Sequence, residues 1–227
     1  MRVLGFDTST DLLSMAVVED ERLVGELTVR DARGPTERLA VLLRDFLEHL
    51  GLTVRDVDAL AVGIGPGSWT GTRVGVTTGK VLAFATGKPI SGVPSFDAMV
   101  YGCGVQEGTV CVLSDCGRDR VFCATYQVRD GAYRRVTDYA ALPLQEALKG
   151  VSGRTLFIGQ GALRHREALS ALEGSAVLPQ FASPSGRCVA LLGLHALLEG
   201  AGGNPDALTP LYVVLPHTET ASQSKGL

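Results

Sequence analysis

The sequence predicts an α/β protein of two small lobes, each grown from the same β-β-β-α unit, and three observations carry that prediction. The N-terminal stretch VLGFDTSTDLLSMAVV is an apolar run, an acidic and hydroxyl-rich turn over residues 7–11, and a second apolar run, the pattern of a β-hairpin. CVLSDCGRDRVFCATY, from Cys111, repeats it and superposes Asp115 on Asp7, Asp119 on Asp11 and Ala124 on Ala16. Each hairpin then runs into a further strand-like segment, 23–29 and 132–136, before helical sequence begins. A repeat of this kind constrains the whole fold, with two unrelated hairpins as the competing reading.

Between the repeats lie two helices. From Gly34-Pro35, a favourable helix start, Leu39, Leu42, Leu43, Phe46, Leu47 and Leu50 recur at helical spacing until Gly51 ends the run. Residues 57–64 read as a buried strand, and Gly65-Pro66-Gly67 as the turn into a second helix capped near Ser68 or Thr70. Its apolar residues Val74, Val76, Val81, Leu82, Phe84 and Ala85 point almost all round the axis, which predicts burial on more than one side. Gly71, Gly75, Gly79 and Ala83 form a stripe at i, i+4 spacing, at a helix-propensity cost of up to about 1 kcal/mol for each glycine. Such a stripe admits another backbone closely, from the chain's own sheet or from another protein.

The later chain offers a strand at 156–158, the turn Gly159-Gln160-Gly161 before a helical segment, and Ser183-Pro184-Ser185 capping a helix over 187–199. Residues 200–205 stop that helix, and 209–216 form a short strand or extended arm. The boundaries that follow are a first lobe over 1–103, a second over 104–216 and a disordered tail over 217–227.

Composition narrows the function classes. No long apolar stretch is free of charge, so a membrane span is not expected, and the start MRVLGFD lacks the features of a signal peptide, which makes the cytoplasm the expected compartment. Five cysteines, odd in number and without a C-x-x-C pair, read as reduced thiols. With a net charge of −3 and scattered cations, the chain lacks the footprint for gripping nucleic acid strongly by itself.

The stretch GIGPGSWTGTRVGVTTG suggests phosphate, yet neither the dinucleotide fingerprint nor the Walker loop fits its spacing. His49, His165, His195 and His217 are too far apart for a metal motif, and Ser68 sits in G-P-G-S-W rather than a nucleophile elbow. Asp7 and Asp115 each end a strand in a turn; they either place two carboxylates across a cleft for Mg²⁺ and phosphate or form Asx turns. Arg73, a cation in the first turn of a helix, opposes the macrodipole and calls for an acidic partner or an anion nearby.

Taken together, FDTST, GIGPGSWTGTRVG and GVPSFDAM closely resemble the TsaB (YeaZ) family, bacterial partner proteins in synthesis of the tRNA modification threonylcarbamoyladenosine, over essentially the whole chain. The G-P-G-S-W-T-G-x-R stretch is the specific part; FDTST alone resembles only the wider actin-like, Hsp70-like and sugar-kinase-like ATPases. The resemblance implies two lobes of that ATPase fold and a non-catalytic scaffold. Such a scaffold binds and activates the TsaD carbamoyltransferase subunit, is joined by the TsaE ATPase, meets tRNA only through the complex and self-associates as a homodimer.

The resemblance also implies a degenerate nucleotide cleft around Asp7, Thr8, Ser9, Ser68, Thr70, Arg73 and Asp115, with no tightly bound cofactor and any nucleotide lodged at the assembled complex. The catalytic relative's H-x-x-x-H metal pair falls on Ser95 and Met99, neither of which replaces an imidazole, so no metal site is expected. A partner interface is read onto Leu39, Leu43 and Phe46 with Gly71, Gly75 and Gly79. On that reading Gly75→Leu weakens the complex and the self-dimer and spares the melting temperature. The alternatives are an ATP-dependent phosphotransferase using Asp7 and Asp115 and, more weakly, a peptidase.

Overall fold

The computed structural model describes residues 1–30, 38–117, 119–151 and 153–213. The helix start at Gly34-Pro35, the end of the arm over 209–216 and the tail over 217–227 lie outside the described residues. In the first half, β1 (Arg2–Asp7), β2 (Leu12–Glu19) and β3 (Arg22–Arg30) form an antiparallel meander. After α1 (Leu39–His49) the chain adds β4 (Ala59–Gly63) parallel to β1, and after α2 (Trp69–Thr86) it adds β5 (Ile90–Val93) parallel to β4. The sheet order is β3-β2-β1-β4-β5.

Then α3 (Ser95–Gly102) crosses to a second sheet. It contains β6 (Gly108–Gly117), β7 (Arg120–Arg129), β8 (Ala132–Arg135), β9 (Ala140–Pro143), β10 (Thr155–Ile158) and β11 (Ala176–Val177). The short helices α4 (Leu144–Ala147), α5 (Gln160–Arg164) and α6 (Arg166–Ser170) connect these strands, and α7 (Gly186–Leu198) follows. Its order, β8-β7-β6-β10-β11 with β9 also on β7, matches the first sheet strand for strand. The two hairpins are therefore halves of a duplicated unit, and Asp7 and Asp115 lie in the same place, at the end of its first strand.

Alternation along β1 divides the first core. Leu4 and Phe6 turn to one face, where they pack with α1 and α2, whereas Val3 turns to the other, against α7. The approach of α7 is close: a Cβ on Gly5 would lie 2.4 Å from the Ala190 nitrogen, and one on Gly193 2.3 Å from the Ala61 Cβ. The boundary at residue 103 is thereby corrected. A helix from the C-terminal half, and the segment that follows it, return to the first lobe, because β1, β4 and β5 expose a second apolar face that α1 and α2 do not reach.

The interface assigned from sequence is corrected as well. Leu39, Leu43 and Phe46 are buried in the first core, each such apolar side chain contributing about 1.5–3 kcal/mol. Gly71, Gly75 and Gly79 turn inward, toward Thr8, Val62 and Ile90. α2 buries this one side only. Its outer face leaves Val81 and Phe84 59% and 56% exposed, and a 240 Å³ apolar groove lined by Leu43, Leu47 and Leu82 runs between it and α1.

Candidate functional site

The residues of the expected nucleotide cleft meet where the β1–β2 turn touches the N-terminal turn of α2. Asp7 is 1% exposed and fully engaged. Its Oδ1 accepts the Ser9 N–H at 2.7 Å and the Ser9 hydroxyl at 2.6 Å, and its Oδ2 accepts the Ser95 hydroxyl at 2.6 Å. Ser95 in turn accepts the Gly65 N–H at 3.1 Å. Burial pushes the Asp7 carboxyl above its ordinary range, against the pull of the Ser9 and Ser95 hydrogen bonds.

The glycines admit this turn. A Cβ on Gly67 would lie 2.2 Å from the Ser9 carbonyl oxygen, one on Gly71 2.0 Å from the Thr8 carbonyl oxygen, and one on Gly75 2.3 Å from Thr8 Oγ1. Thr8 Oγ1 donates to the Gly71 carbonyl at 2.7 Å. Ser68 is the helix cap, accepting the Gly71 N–H at 3.2 Å, while Thr70 is exposed in the first turn and is not the cap.

Across the cleft Asp115 is held differently. Its Oδ1 accepts the Gly117 N–H at 2.8 Å and its Oδ2 pairs with Arg164 at 2.8 Å. These partners, the backbone first, hold its carboxyl below the usual range. The space between the lobes is 220 Å³, lined by Gly67, Trp69, Thr72, Asp115 and, from the returning C-terminal segment, Leu211 and Tyr212. Ligand pockets commonly run about 300–1,000 Å³.

The two carboxylates are thus in different states: Asp7 is sealed by Ser9 and Ser95, whereas Asp115 is paired with Arg164 at the surface. Of the two carboxylates on which the phosphotransferase reading rests, only Asp115 reaches the surface. The metal pair is no better served: Ser95 is held by Asp7 and Gly65, and Met99 is buried in the core of the second lobe. Among the described residues no three His, Cys, Asp or Glu side chains gather as a metal cluster.

Among the described residues Arg73 meets aromatic rings rather than an acidic side chain. Its Nε donates to the Tyr212 hydroxyl at 2.9 Å, and its guanidinium lies 4.1 Å from the centre of the Trp69 ring, which stacks on Tyr212 at 4.2 Å. A cation–π contact of this exposed kind contributes about 0.5–1 kcal/mol. Tyr212 stands 139 residues from Arg73, and no local pattern signals the pairing.

Sequence reasoning also missed the clamp between the lobes, where the hydroxyls of Tyr126 and Tyr139 both donate to Asp97 Oδ1, at 2.7 and 2.9 Å. The signal available was Asp97 in GVPSFDAM, an acid in the first turn of α3 on an otherwise apolar helix.

Residues 30–184 match the family model described as TsaD: tRNA N6-adenosine threonylcarbamoyltransferase. The tRNA threonylcarbamoyladenosine biosynthesis protein TsaB of Escherichia coli (strain K12) is 30% identical over 167 residues, covering 71% of this chain and 72% of that protein. The solved structure of YeaZ from Pseudomonas aeruginosa superposes with a TM-score of 0.79 at 24% identity, over 93% of this chain and 99% of that one. The activator of the 2-hydroxyisocaproyl-CoA dehydratase from Clostridium difficile, with bound ADPNP, follows at 0.52 and 11%, over 88% and 97%. The duplicated lobes are thus those of the actin-like ATPase fold. On its 30% identity to the Escherichia coli protein over 71% of this chain, the chain belongs to the TsaB (YeaZ) family.

Proposed function

We propose that this chain is a non-catalytic scaffold that binds and activates the TsaD carbamoyltransferase subunit in threonylcarbamoyladenosine modification of tRNA. The observation that carries the reading is the contrast between its two surfaces. The carboxylate at the end of β1 is closed off by Ser9 and Ser95, whereas α1 and α2 leave Val41, Val81 and Phe84 exposed and carry an apolar groove between them. An exposed apolar strip of this kind marks an interaction site. It supports docking of a partner's helices there, or of a second copy of this chain when the partner is absent.

The TsaE ATPase joins the assembled pair, tRNA is met in that assembly, and any nucleotide binds at the shared surface rather than tightly to this chain. The cytoplasm is the proposed compartment; among the described residues no helix is long and apolar enough to cross a membrane.

Reconstitution tests the reading. The chain is expected to co-purify with TsaD, and TsaD with its substrates is expected to modify tRNA only when the chain is added. Failure to co-purify, or turnover of ATP with a small hydroxylated substrate by the chain alone, overturns it.

A further inference from the structure

The solvent face of the β7–β8 ribbon carries two arginines that the fold does not use. Pairing sets Gln127 opposite Arg134 and Arg129 opposite Ala132, so these four residues share one face, while Tyr126 and Val128 turn into the core. Diagonal neighbours in such a pair stand about 7–8 Å apart, close enough for two guanidinium forks to converge. They rim a 320 Å³ hollow floored by Ala132 and edged by Tyr133. The Gln127 amide is fixed beside it, donating to the Gly108 carbonyl at 3.0 Å and accepting the Thr109 hydroxyl at 3.4 Å.

Several arginines of the chain have partners, and among those without one Arg129 and Arg134 are the two that share a hollow. Arg2 pairs with Glu19, Arg30 with Asp11 and Arg44 with Asp45, and Arg135, next along β8, lies over the Tyr139 ring. The side chains of Arg129 and Arg134 are exposed and, among the described residues, make neither an ion pair nor a hydrogen bond, although Asp130 follows Arg129 directly in the chain. Two like charges on one face of an edge ribbon, left unpaired in a chain of net charge −3, repel each other until an anion joins them.

We propose that this notch is a phosphate-recognition site that takes the phosphodiester backbone of the tRNA, with Arg129 and Arg134 as its two forks. Planar guanidinium pairs match phosphate oxygens in geometry as well as charge. An acidic protein segment suits the notch less well, because a protein interface needs an apolar centre and the hollow offers only a methyl group and a ring edge. The choice of tRNA rests on the proposed role in tRNA modification; the anion site does not.

The test uses the full chain, labelled so that arginine Nε–H resonances are resolved, with an RNA stem-loop, inorganic phosphate and a polyglutamate peptide as probes. At low salt the RNA is expected to shift the Arg129 and Arg134 resonances more than an equal concentration of inorganic phosphate does. The double variant Arg129→Ala with Arg134→Ala is expected to lower the low-salt affinity for the RNA, read by fluorescence anisotropy, at least tenfold at an unchanged melting temperature, and unchanged affinity overturns the site. In the complex with TsaD, the same variant is expected to flatten the salt dependence of tRNA binding by about 2 in the log–log slope, because each arginine removed leaves one phosphate with its counterions.

Resonances that stay still with RNA overturn the site. A response to inorganic phosphate as large as that to RNA leaves an adventitious ion only, and tighter binding of polyglutamate replaces RNA with an acidic protein; each overturns the proposal. An unchanged salt slope in the assembled complex overturns the tRNA contact. Loss of co-purification with TsaD while RNA still moves both arginines sinks the scaffold reading and leaves the notch standing.

Discussion

Ser95 donates its hydroxyl proton to Asp7 Oδ2 across 2.6 Å, joining the start of α3 to the end of β1 over 88 residues of chain. The bond closes off one of the two strand-end carboxylates, Asp7, while the other, Asp115, stays at the surface. The polar knot that this bond completes holds the β1–β2 turn beside the start of α2.

The knot has a pH signature. Burial raises the Asp7 pKa above its ordinary 3.8, so the native state keeps this proton longer than the unfolded chain does. The stabilisation this gives is full below pH 3.8 and is lost as pH rises through the native value. Asp7→Asn, neutral throughout, removes that loss. The difference in melting temperature is expected to move in the variant's favour as pH is raised from acid toward neutral, and parallel curves for the two proteins would refute the assignment.

Gly75 is a packing residue of the monomer. Its substitution by alanine improves helix propensity by about 1 kcal/mol but sets a Cβ 2.3 Å from Thr8 Oγ1, and overpacking costs typically about 1–3 kcal/mol. Gly75→Ala is expected to lower the melting temperature, whereas Thr77→Ala, exposed on the same helix, is expected to hold or raise it. Gly75→Leu is expected to unfold the chain rather than to spare it. A folded Gly75→Leu protein of wild-type stability would show that the stripe does not pack on Thr8.

Partner binding falls to the other side of α2. Val81→Asp with Phe84→Ser removes two exposed apolar side chains, and surface changes of this kind shift stability by no more than about 0.5 kcal/mol. Urea unfolding is expected to be nearly unchanged while co-purification with TsaD is lost. Full retention of the complex would move the interface away from α2.

The clamp between the lobes predicts the alkaline limit. Burial pushes the Tyr139 phenol up to about 12 from its ordinary 10.0 and raises Tyr126 as well. The stabilisation is present below pH 10 and lost as pH rises toward 12. Tyr139→Phe is expected to lose less stability over that range than the wild type. An ultraviolet titration in which every tyrosine ionises at its ordinary value would contradict the clamp.

Much of the fold was legible because it is written in local pattern. The hairpin at residues 7–11 and its copy after Cys111 set the duplication, and strand alternation and helical spacing placed the elements around them. Ser68 and Ser185 were readable as caps because a cap's chemistry lies within a few residues of itself. The candidate site was half legible. Asp7 and the glycines were singled out, but not what they touch.

What the sequence by itself determined is the order, type and repetition of the elements, together with the need for something to approach the Gly71–Gly75–Gly79 face closely. Only the tertiary structure decided that this something is the chain's own Thr8 turn, that α7 returns to the first sheet, and that Arg73 meets Tyr212. The reason is physical. A smooth helix face, an apolar arc or a strand-end carboxylate is satisfied equally by any neighbour of the right shape and polarity, and spacing along the chain carries no record of which one arrives.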